Sequence, residues 1–330
     1  MTGPGEHPIG VAADPVLEAI RGRIADWYGP KARLLSDPVA QHRSWSVHFH
    51  ADVEGAGGRV ALIVKIPLWE EAPDLATALA AGPQDNTLSE YRMLQRIGEM
   101  VANAGDRRLT AVRPVAYVEE INAVVTERLD CRPLRALSAR RRLAVGDAIG
   151  AWLRHFHDGI GEATASGFEA SDLTASLGGP GEGSAGLFDP LGEAIAAIRE
   201  DARGIAGAAT RNATTHGDFG PSNILVTPDD RVAVIDPNLV PGPVESELAK
   251  LAVAIRTPRS RLLAGIRRGK GMHPLERAVL NGYGEVSADI YGLCRRAAAA
   301  ARWMEIEADG GGIRRLALPM ARRVLASETA

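Results

Sequence analysis

The stretch from Thr215 to Asp236 constrains this chain more than any other. It reads Thr-His-Gly-Asp-Phe-Gly-Pro-Ser-Asn-Ile-Leu-Val through Val226 and then, past a Pro-Asp-Asp-Arg turn at 228–231, Val-Ala-Val-Ile-Asp. Two short aliphatic runs around a turn-forming tetrapeptide predict an antiparallel hairpin, Asn223–Val226 with Val232–Ile235. A hairpin returns the chain to its starting end, so Asn223 and Asp236 must finish side by side, with Asp218 just ahead of the first strand. One Asp or Asn beside a turn is most often a cap. Three oxygen-bearing side chains fixed around one point can instead handle a metal ion and a proton.

The intervals sharpen this reading. His216, Asp218, Asn223 and Asp236 follow the order and spacing of the catalytic loop and metal-binding Asp of kinases. At these residues the chain resembles the aminoglycoside phosphotransferase family, the small-molecule branch of the protein-kinase-like fold, with its His-Gly-Asp, Asn-Ile-Leu and Ile-Asp signature. The resemblance implies an α+β, two-lobed protein-kinase-like fold, with an N-terminal antiparallel-sheet lobe and a larger, mainly helical C-terminal lobe sharing a cleft. It implies a phosphotransferase that uses ATP or GTP with Mg2+ and takes a small-molecule hydroxyl as acceptor. Asp218 would be the catalytic base, Asn223 and Asp236 the metal ligands, and His216 a brace for the loop.

A kinase-like site also needs a Lys on an N-lobe strand and a Glu on the next helix. Lys65 closes the apolar run Arg59–Pro67, where an unpaired ammonium would be costly. The chain has only four lysines among 38 basic residues, so a Lys retained here suits a compact point contact with phosphate. A Lys snorkelling from a strand end is the ordinary alternative. Glu90 opens a helical pattern with Leu94 and Ile97, with Asn86–Ser89 as cap residues. On its own a solvent-facing Glu would explain it, so its pairing with Lys65 rests on the resemblance; Glu99 is a weaker competitor.

Residues 1–14 read as a flexible N-terminus, 15–126 as the N-lobe, 127–134 as a hinge and 135–330 as the C-lobe. In the N-lobe, 15–29 forms an amphipathic helix, followed by strands at Ala32–Leu35, Ser44–Val53 and Arg59–Pro67. The last two are joined by the glycine-rich turn at 54–58, which matches no phosphate-loop pattern. The nucleotide-covering loop then falls at Asp37–Arg43, which lacks glycine, with Arg43 or Ser44 standing in as phosphate contacts. Trp69–Asp85 reads as a mobile insertion. Val112–Val118 and Ala123–Thr126 form a strand pair. The chain then breaks into a helix over Glu127–Leu134, and the resemblance makes Thr126, Glu127 and Leu129 the hinge contacts to the nucleobase.

In the C-lobe one helix runs from Ser138 to Ile160, burying Leu143, Ile149, Trp152, Leu153 and Phe156, with His155 and His157 as packing or capping residues. Residues 164–187, rich in Gly, Ser and Pro, read as a loop over the cleft. Pro237 follows Asp236, so the switch motif of protein kinases is missing and no activation-loop control is expected. Glu247 stands where the family places an Asp before Leu-Ala. The segment Ile255–Met272 carries Arg256, Arg259, Arg261, Arg267, Arg268 and Lys270 without an acid, which points to an anionic or neutral acceptor, unless these residues simply coat an exposed helix. Acids elsewhere (Glu193, Glu200, Asp201, Glu285, Asp289, Glu305, Glu307) keep an amino-sugar or aminoglycoside acceptor open.

Composition sets the outer limits. A length of 330 residues suits two lobes, and a net charge of −3 with 5% aromatic residues gives nucleic acid neither a field nor a stacking surface. Two cysteines, Cys131 and Cys294, fit neither a disulfide framework nor a zinc site. With no apolar leader and no membrane-length apolar run, a soluble, cytoplasmic protein without membrane contact is expected. Two further classes stay open. One is a catalytically silent, kinase-like nucleotide-binding protein. The other is a metal-dependent phosphoesterase built on His216, Asp218 and Asp236, which would require more ligands than cluster there. The acceptor and the oligomeric state are left undetermined.

Overall fold

Every second residue from Val47 to Val53 is apolar, as is every second residue from Leu62 to Ile66, so a strand pair made from them has one apolar and one polar face. The computed structural model describes residues 14–175, 177, 190–256 and 272–308, which divide into two units. The first holds the described residues up to Asn103 together with Thr110–Asp130. Its elements are α1 (Asp14–Tyr28), β1 (Arg33–Leu34), β2 (Val39–Arg43), β3 (Ser46–Gly55), β4 (Gly58–Pro67), α2 (Leu75–Ala81), α3 (Asp85–Ala104), β5 (Pro114–Val118) and β6 (Ala123–Glu127).

The strands form one six-stranded antiparallel sheet in the order β1-β3-β4-β6-β5, with β2 also paired to β3. On one face, Val47, Phe49, Ala51, Val53, Leu62, Val64 and Ile66 pack with Val16, Ala19, Ile20 and Ile24 of α1 in a single buried cluster. Each large aliphatic side chain so buried contributes about 1.5–3 kcal/mol. The register puts His48 opposite Lys65 and His50 opposite Ile63 on the other, half-buried face.

Several local expectations change here. Asp37–Arg43 is not a loop, because its last five residues form β2, and the connection to β3 is a turn at Ser44–Trp45. Edge pairing along β3 decides this, through a register running from Val39↔His50 to Arg43↔Ser46. The 54–58 glycine segment is an ordinary hairpin turn, as expected. Trp69–Asp85 contains α2, closed by a reciprocal cap in which Asp74 Oδ1 accepts the Thr77 N–H at 2.9 Å and Thr77 Oγ1 accepts the Asp74 N–H at 3.4 Å. Asn86–Ser89 lie inside α3 and do not cap it.

The second unit holds Ala104–Leu109 and the described residues from Cys131 on. Its elements are β7 (Arg132–Pro133), α4 (Ala139–Ala144), α5 (Gly146–Gly159), β8 (Thr164–Gly167), α6 (Ala170–Ala175), α7 (Pro190–Gly204), β9 (Ala209–Thr215), β10 (Ile224–Val226), β11 (Val232–Val234), β12 (Val240–Pro243), α8 (Val244–Arg256), α9 (Pro274–Tyr283) and α10 (Ala288–Ala308). Two small antiparallel sheets run β11-β10-β7 and β12-β9-β8. The 104–109 segment joins this unit because the Arg108 carbonyl accepts the Val232 N–H at 2.8 Å.

The helix expected over Ser138–Ile160 is two helices, α4 and α5, broken at Val145. Leu143, assigned to the buried stripe, lies on α4 and is 45% exposed, whereas Ile149, Trp152, Leu153 and Phe156 are buried. Glu127–Leu134 forms no α-helix: β7 pairs with β10 through Pro133↔Leu225, and one 3-10 turn follows at Leu134–Ala136. The stretch read as a loop from 164 begins with β8 and α6. Most of 176–187 lies outside the described residues, as do Arg259, Arg261, Arg267, Arg268 and Lys270 of the basic segment. Arg256 is described, and its guanidinium meets the buried Glu276 carboxylate at 3.1 Å. Among the described residues no helix is long and apolar enough to cross a membrane.

Helices α5 and α9 approach closely enough that their glycines are obligatory. A Cβ on Gly150 would lie 2.0 Å from the Val279 carbonyl oxygen, and one on Gly282 would lie 1.9 Å from that of Asp147. Backbone cannot yield as a flexible side chain can. Gly150→Val is therefore expected to destabilise this unit by at least about 2 kcal/mol, read as a shifted denaturant midpoint; an unchanged midpoint would refute the close packing.

Candidate active site

Strand β9 delivers the chain to Thr215, and the hairpin β10–β11 carries it away again. In that hairpin Ile224 faces Val234 and Val226 faces Val232, and the Ile235 N–H donates to the Asn223 carbonyl at 3.1 Å. This closes the hairpin end at which Asn223 and Asp236 both lie. Between β9 and β10, residues 216–223 form a tight loop held by its own backbone. The Asp218 carbonyl accepts the Gly220 N–H at 2.9 Å, and the Gly220 carbonyl accepts the N–H of Asn223 at 3.0 Å and of Ile224 at 3.1 Å.

Within this loop the Asn223 side-chain amide donates to Asp218 twice, to Oδ2 at 2.8 Å and to the carbonyl oxygen at 3.0 Å. Asp218 is exposed, so its carboxylate is oriented by Asn223 while remaining accessible to a ligand. Asp236, also exposed, has φ +57°. That left-handed conformation is costly for a residue with a side chain, and Asp is among the few that adopt it. Gly217, at φ +80°, has no alternative, since a Cβ there would lie 1.7 Å from the Asn238 carbonyl oxygen.

Beneath the loop lies a buried polar brace. Glu247 of α8 is 1% exposed; its Oε2 accepts the His216 N–H at 2.9 Å and its Oε1 the Gly217 N–H at 2.6 Å. His157 of α5 is fully buried, with Nε2 2.9 Å from Glu247 Oε2 and Nδ1 2.9 Å from the Tyr283 hydroxyl. A carboxylate only accepts, so Nε2–H donates to it, and in the neutral ring Nδ1 accepts from the phenol. Burial pushes the Tyr283 pKa well above the usual phenol range, which keeps that O–H available as a donor. The extra methylene of Glu247 relative to an Asp does not prevent two-amide binding.

The His216 ring is enclosed by Trp152, Phe156 and Phe219, with centroids 5.6–6.1 Å away. Burial lowers its pKa, against the upward pull of the Glu247, Asp218 and Asp236 carboxylates. The ring is neutral near pH 7 and serves packing, the bracing role expected of it. Local sequence pattern assigns His157 only a packing or capping role. Sequence spacing offered no sign of its contact with Glu247, 90 residues away.

In the sheet unit, Lys65 Nζ lies 2.8 Å from Glu90 Oε1, both side chains 22% exposed. Helix α3 thus presents Glu90 to β4. Arg43 and Ser44 sit at the exposed end of the β2–β3 hairpin, where the Arg43 guanidinium donates to Gln41 Oε1 at 2.8 Å. Thr126 pairs with Ile63. Glu127 turns its carboxylate to Arg113, at 2.7 Å, and to the Tyr28 hydroxyl, at 3.2 Å. Its N–H donates to the Arg113 carbonyl and that of Arg128 to the Ala61 carbonyl. Leu129 follows those two engaged amides in the chain.

The family model described as the phosphotransferase enzyme family matches residues 53–303. A comparison with curated proteins gives no match. Among solved structures, the chain is similar to a putative aminoglycoside phosphotransferase from Ralstonia eutropha, at 14% identity and TM-score 0.58, covering 94% of this chain and 98% of that one. It is similar to the choline kinase LicA from Streptococcus pneumoniae, at 15% identity and TM-score 0.52, covering 95% and 100%. LicA has also been crystallised with AMP. A choline/ethanolamine kinase family protein from Mesorhizobium loti matches at 14% identity and TM-score 0.53, covering 95% of each chain. At these identities the structural likenesses speak to fold alone, which is that of the kinase-like phosphotransferases. The family match spans well over half of the sequence: the chain belongs to the phosphotransferase enzyme family and is a small-molecule phosphotransferase.

Proposed function

We propose that this enzyme transfers the γ-phosphoryl group of ATP, or of GTP, to a hydroxyl of a sugar, an amino sugar or a related small metabolite. The observation that carries the reading is the oriented, exposed Asp218, held by Asn223 within a loop anchored on the buried Glu247. Phosphoryl transfer through a loose transition state depends on positioning more than on base strength. A carboxylate fixed in this way can align an incoming hydroxyl and take its proton late in the reaction.

Asp236 and Asn223 offer only oxygen donors suited to a hard cation, and Asp236 is exposed at the end of the hairpin, so this pair fits Mg2+. Among the described residues no group of three or more His, Cys, Asp or Glu is placed to hold a metal. Mg2+ requires no such cage, because it is commonly held by one or two carboxylates and the nucleotide phosphates. A phosphoesterase would have to supply its ligands from protein, and the donor set favours phosphoryl transfer over it. Bound Mg2+ would neutralise phosphate charge. On the sheet unit, Lys65, held by Glu90, supplies the positive charge for the nucleotide phosphates, and the Leu129 amide is offered to the base. The nucleotide reading draws support from AMP in a LicA crystal. The differing acceptors named for the similar structures leave the acceptor to experiment.

Turnover should be measured as ADP or GDP release over a panel of sugars, amino sugars, aminoglycosides and choline, with Mg2+ and with excess chelator. Acceptor-dependent release that the chelator abolishes is expected; phosphate release from a phosphomonoester without nucleotide would instead establish a phosphoesterase. Asp218→Asn is expected to lower kcat by roughly 10³-fold with an unchanged melting temperature, and near-normal turnover would remove Asp218 from its role. Lys65→Ala is expected to raise the nucleotide KM about tenfold or more, the scale of a charge-assisted contact. A defect in acceptor KM alone would contradict that assignment.

A further inference from the structure

The polar face of the first unit's sheet carries side chains in transverse rows. One row aligns Gln41, His48, Lys65 and Val124; the next aligns Val39, His50, Ile63 and Thr126. Directly paired residues of antiparallel strands point to the same side, so His50 shares the Lys65 face. It stands two residues along the strands from the Lys65 row, about 7 Å. The displacement runs toward the C-terminal end of β6, where Thr126 leads into Glu127 and Leu129. If Lys65 meets phosphate and the Leu129 amide meets the base, the His50 row lies at the level between them.

His50 has features that packing does not explain. The opposite face of β3 supplies the core with Val47, Phe49, Ala51 and Val53, and His50 is no part of that cluster. Its Nε2 is screened from water yet has no hydrogen-bond partner among the described residues. Burial lowers the pKa of the ring, as do the nearby Arg128 and Arg43, so near pH 7 it is a neutral, flat group with one unused polar atom. A polar atom removed from water without a partner costs free energy, and a ligand that supplies the partner recovers it. The adjacent His48, by contrast, has Nε2 3.0 Å from Ser46 Oγ.

We infer that His50 is a nucleoside-contacting residue: its ring packs against the nucleoside of the bound nucleotide and turns about its Cβ–Cγ bond to bring Nε2 into a hydrogen bond there, while Lys65 serves the phosphates. This rests on the phosphotransfer reading above and assigns the nucleoside half of the ligand to a side chain. It accounts for a histidine in a row otherwise filled by Val39, Ile63 and Thr126.

The test separates the two halves of the ligand by calorimetric titration of the full chain with adenosine, replaced throughout by guanosine if the wild-type protein binds only that nucleoside, and, separately, with magnesium tripolyphosphate. Relative to the wild-type protein, His50→Val should weaken adenosine binding about tenfold, the scale of one lost hydrogen bond with its packing, and leave tripolyphosphate binding unchanged. His50→Gln, which restores a polar atom, should recover part of the loss. Lys65→Ala should do the reverse, weakening tripolyphosphate and sparing adenosine. Unchanged adenosine affinity in His50→Val, or an equal loss of both ligands, would overturn the assignment. Wild-type protein that binds neither ligand would overturn the nucleotide reading itself, an outcome distinct from failure of the His50 assignment.

Discussion

The carboxylate of Glu247 is the contact on which the loop at 216–223 depends. Buried on α8, it accepts two consecutive backbone amides, those of His216 and Gly217, together with a proton of His157. At this point Gly217 turns through a positive φ against Asn238. A buried amide without an acceptor costs about as much as a lost hydrogen bond. The carboxylate is in turn held by imidazole and phenol, whose positions follow from the close contact of α5 with α9. Packing of two helices through bare glycine backbone therefore reaches Asp218 by a short chain of directional contacts: Tyr283, His157, Glu247 and the loop.

The sheet unit is organised on a different principle. Its apolar face is committed to α1 and to the core, so whatever chemistry it performs must come from the opposite face. Lys65 stands on that face between rows of half-buried residues, and Glu90 holds it at 2.8 Å. The pair is part-buried, and its effect is to fix the direction of the ammonium. The same face places His48 and His50 beside Lys65 through strand register alone.

Much of this was legible beforehand, and the failures share a cause. The hairpin carrying Asn223 and Asp236, the α1 helix, the Lys65 strand and the ordinary nature of the glycine turn at 54–58 all followed from periodicity and turn chemistry, which are local. The strand β2 was missed because Val39–Arg43 is extended only by pairing with β3, and an edge strand that buries little carries no apolar alternation. The break at Val145 was missed because α4 and α5 are each helical by propensity. Leu143 suited the stripe of an unbroken helix and, on α4, is exposed to solvent. The helix α2 was hidden by the Pro and acidic residues around it, although Asp74 and Thr77 spell a cap. Glu90 could not be told from a solvent-facing acid by its neighbours; only the family resemblance singled it out.

By itself the sequence determined the identity, order and spacing of the chemical groups from His216 to Asp236 and the strands that bear them, because each of those features is settled within a few residues. It determined that Lys65 sits in an apolar strand, and hence that its charge needs a partner. Tertiary structure alone decided which groups meet across long separations. It chose Glu247 to hold the loop, gave that residue a brace in His157 and Tyr283, and aligned His50 with Thr126 and Leu129's end of β6. Those outcomes depend on strand register and helix contact, which arise only when distant segments bury their apolar faces together.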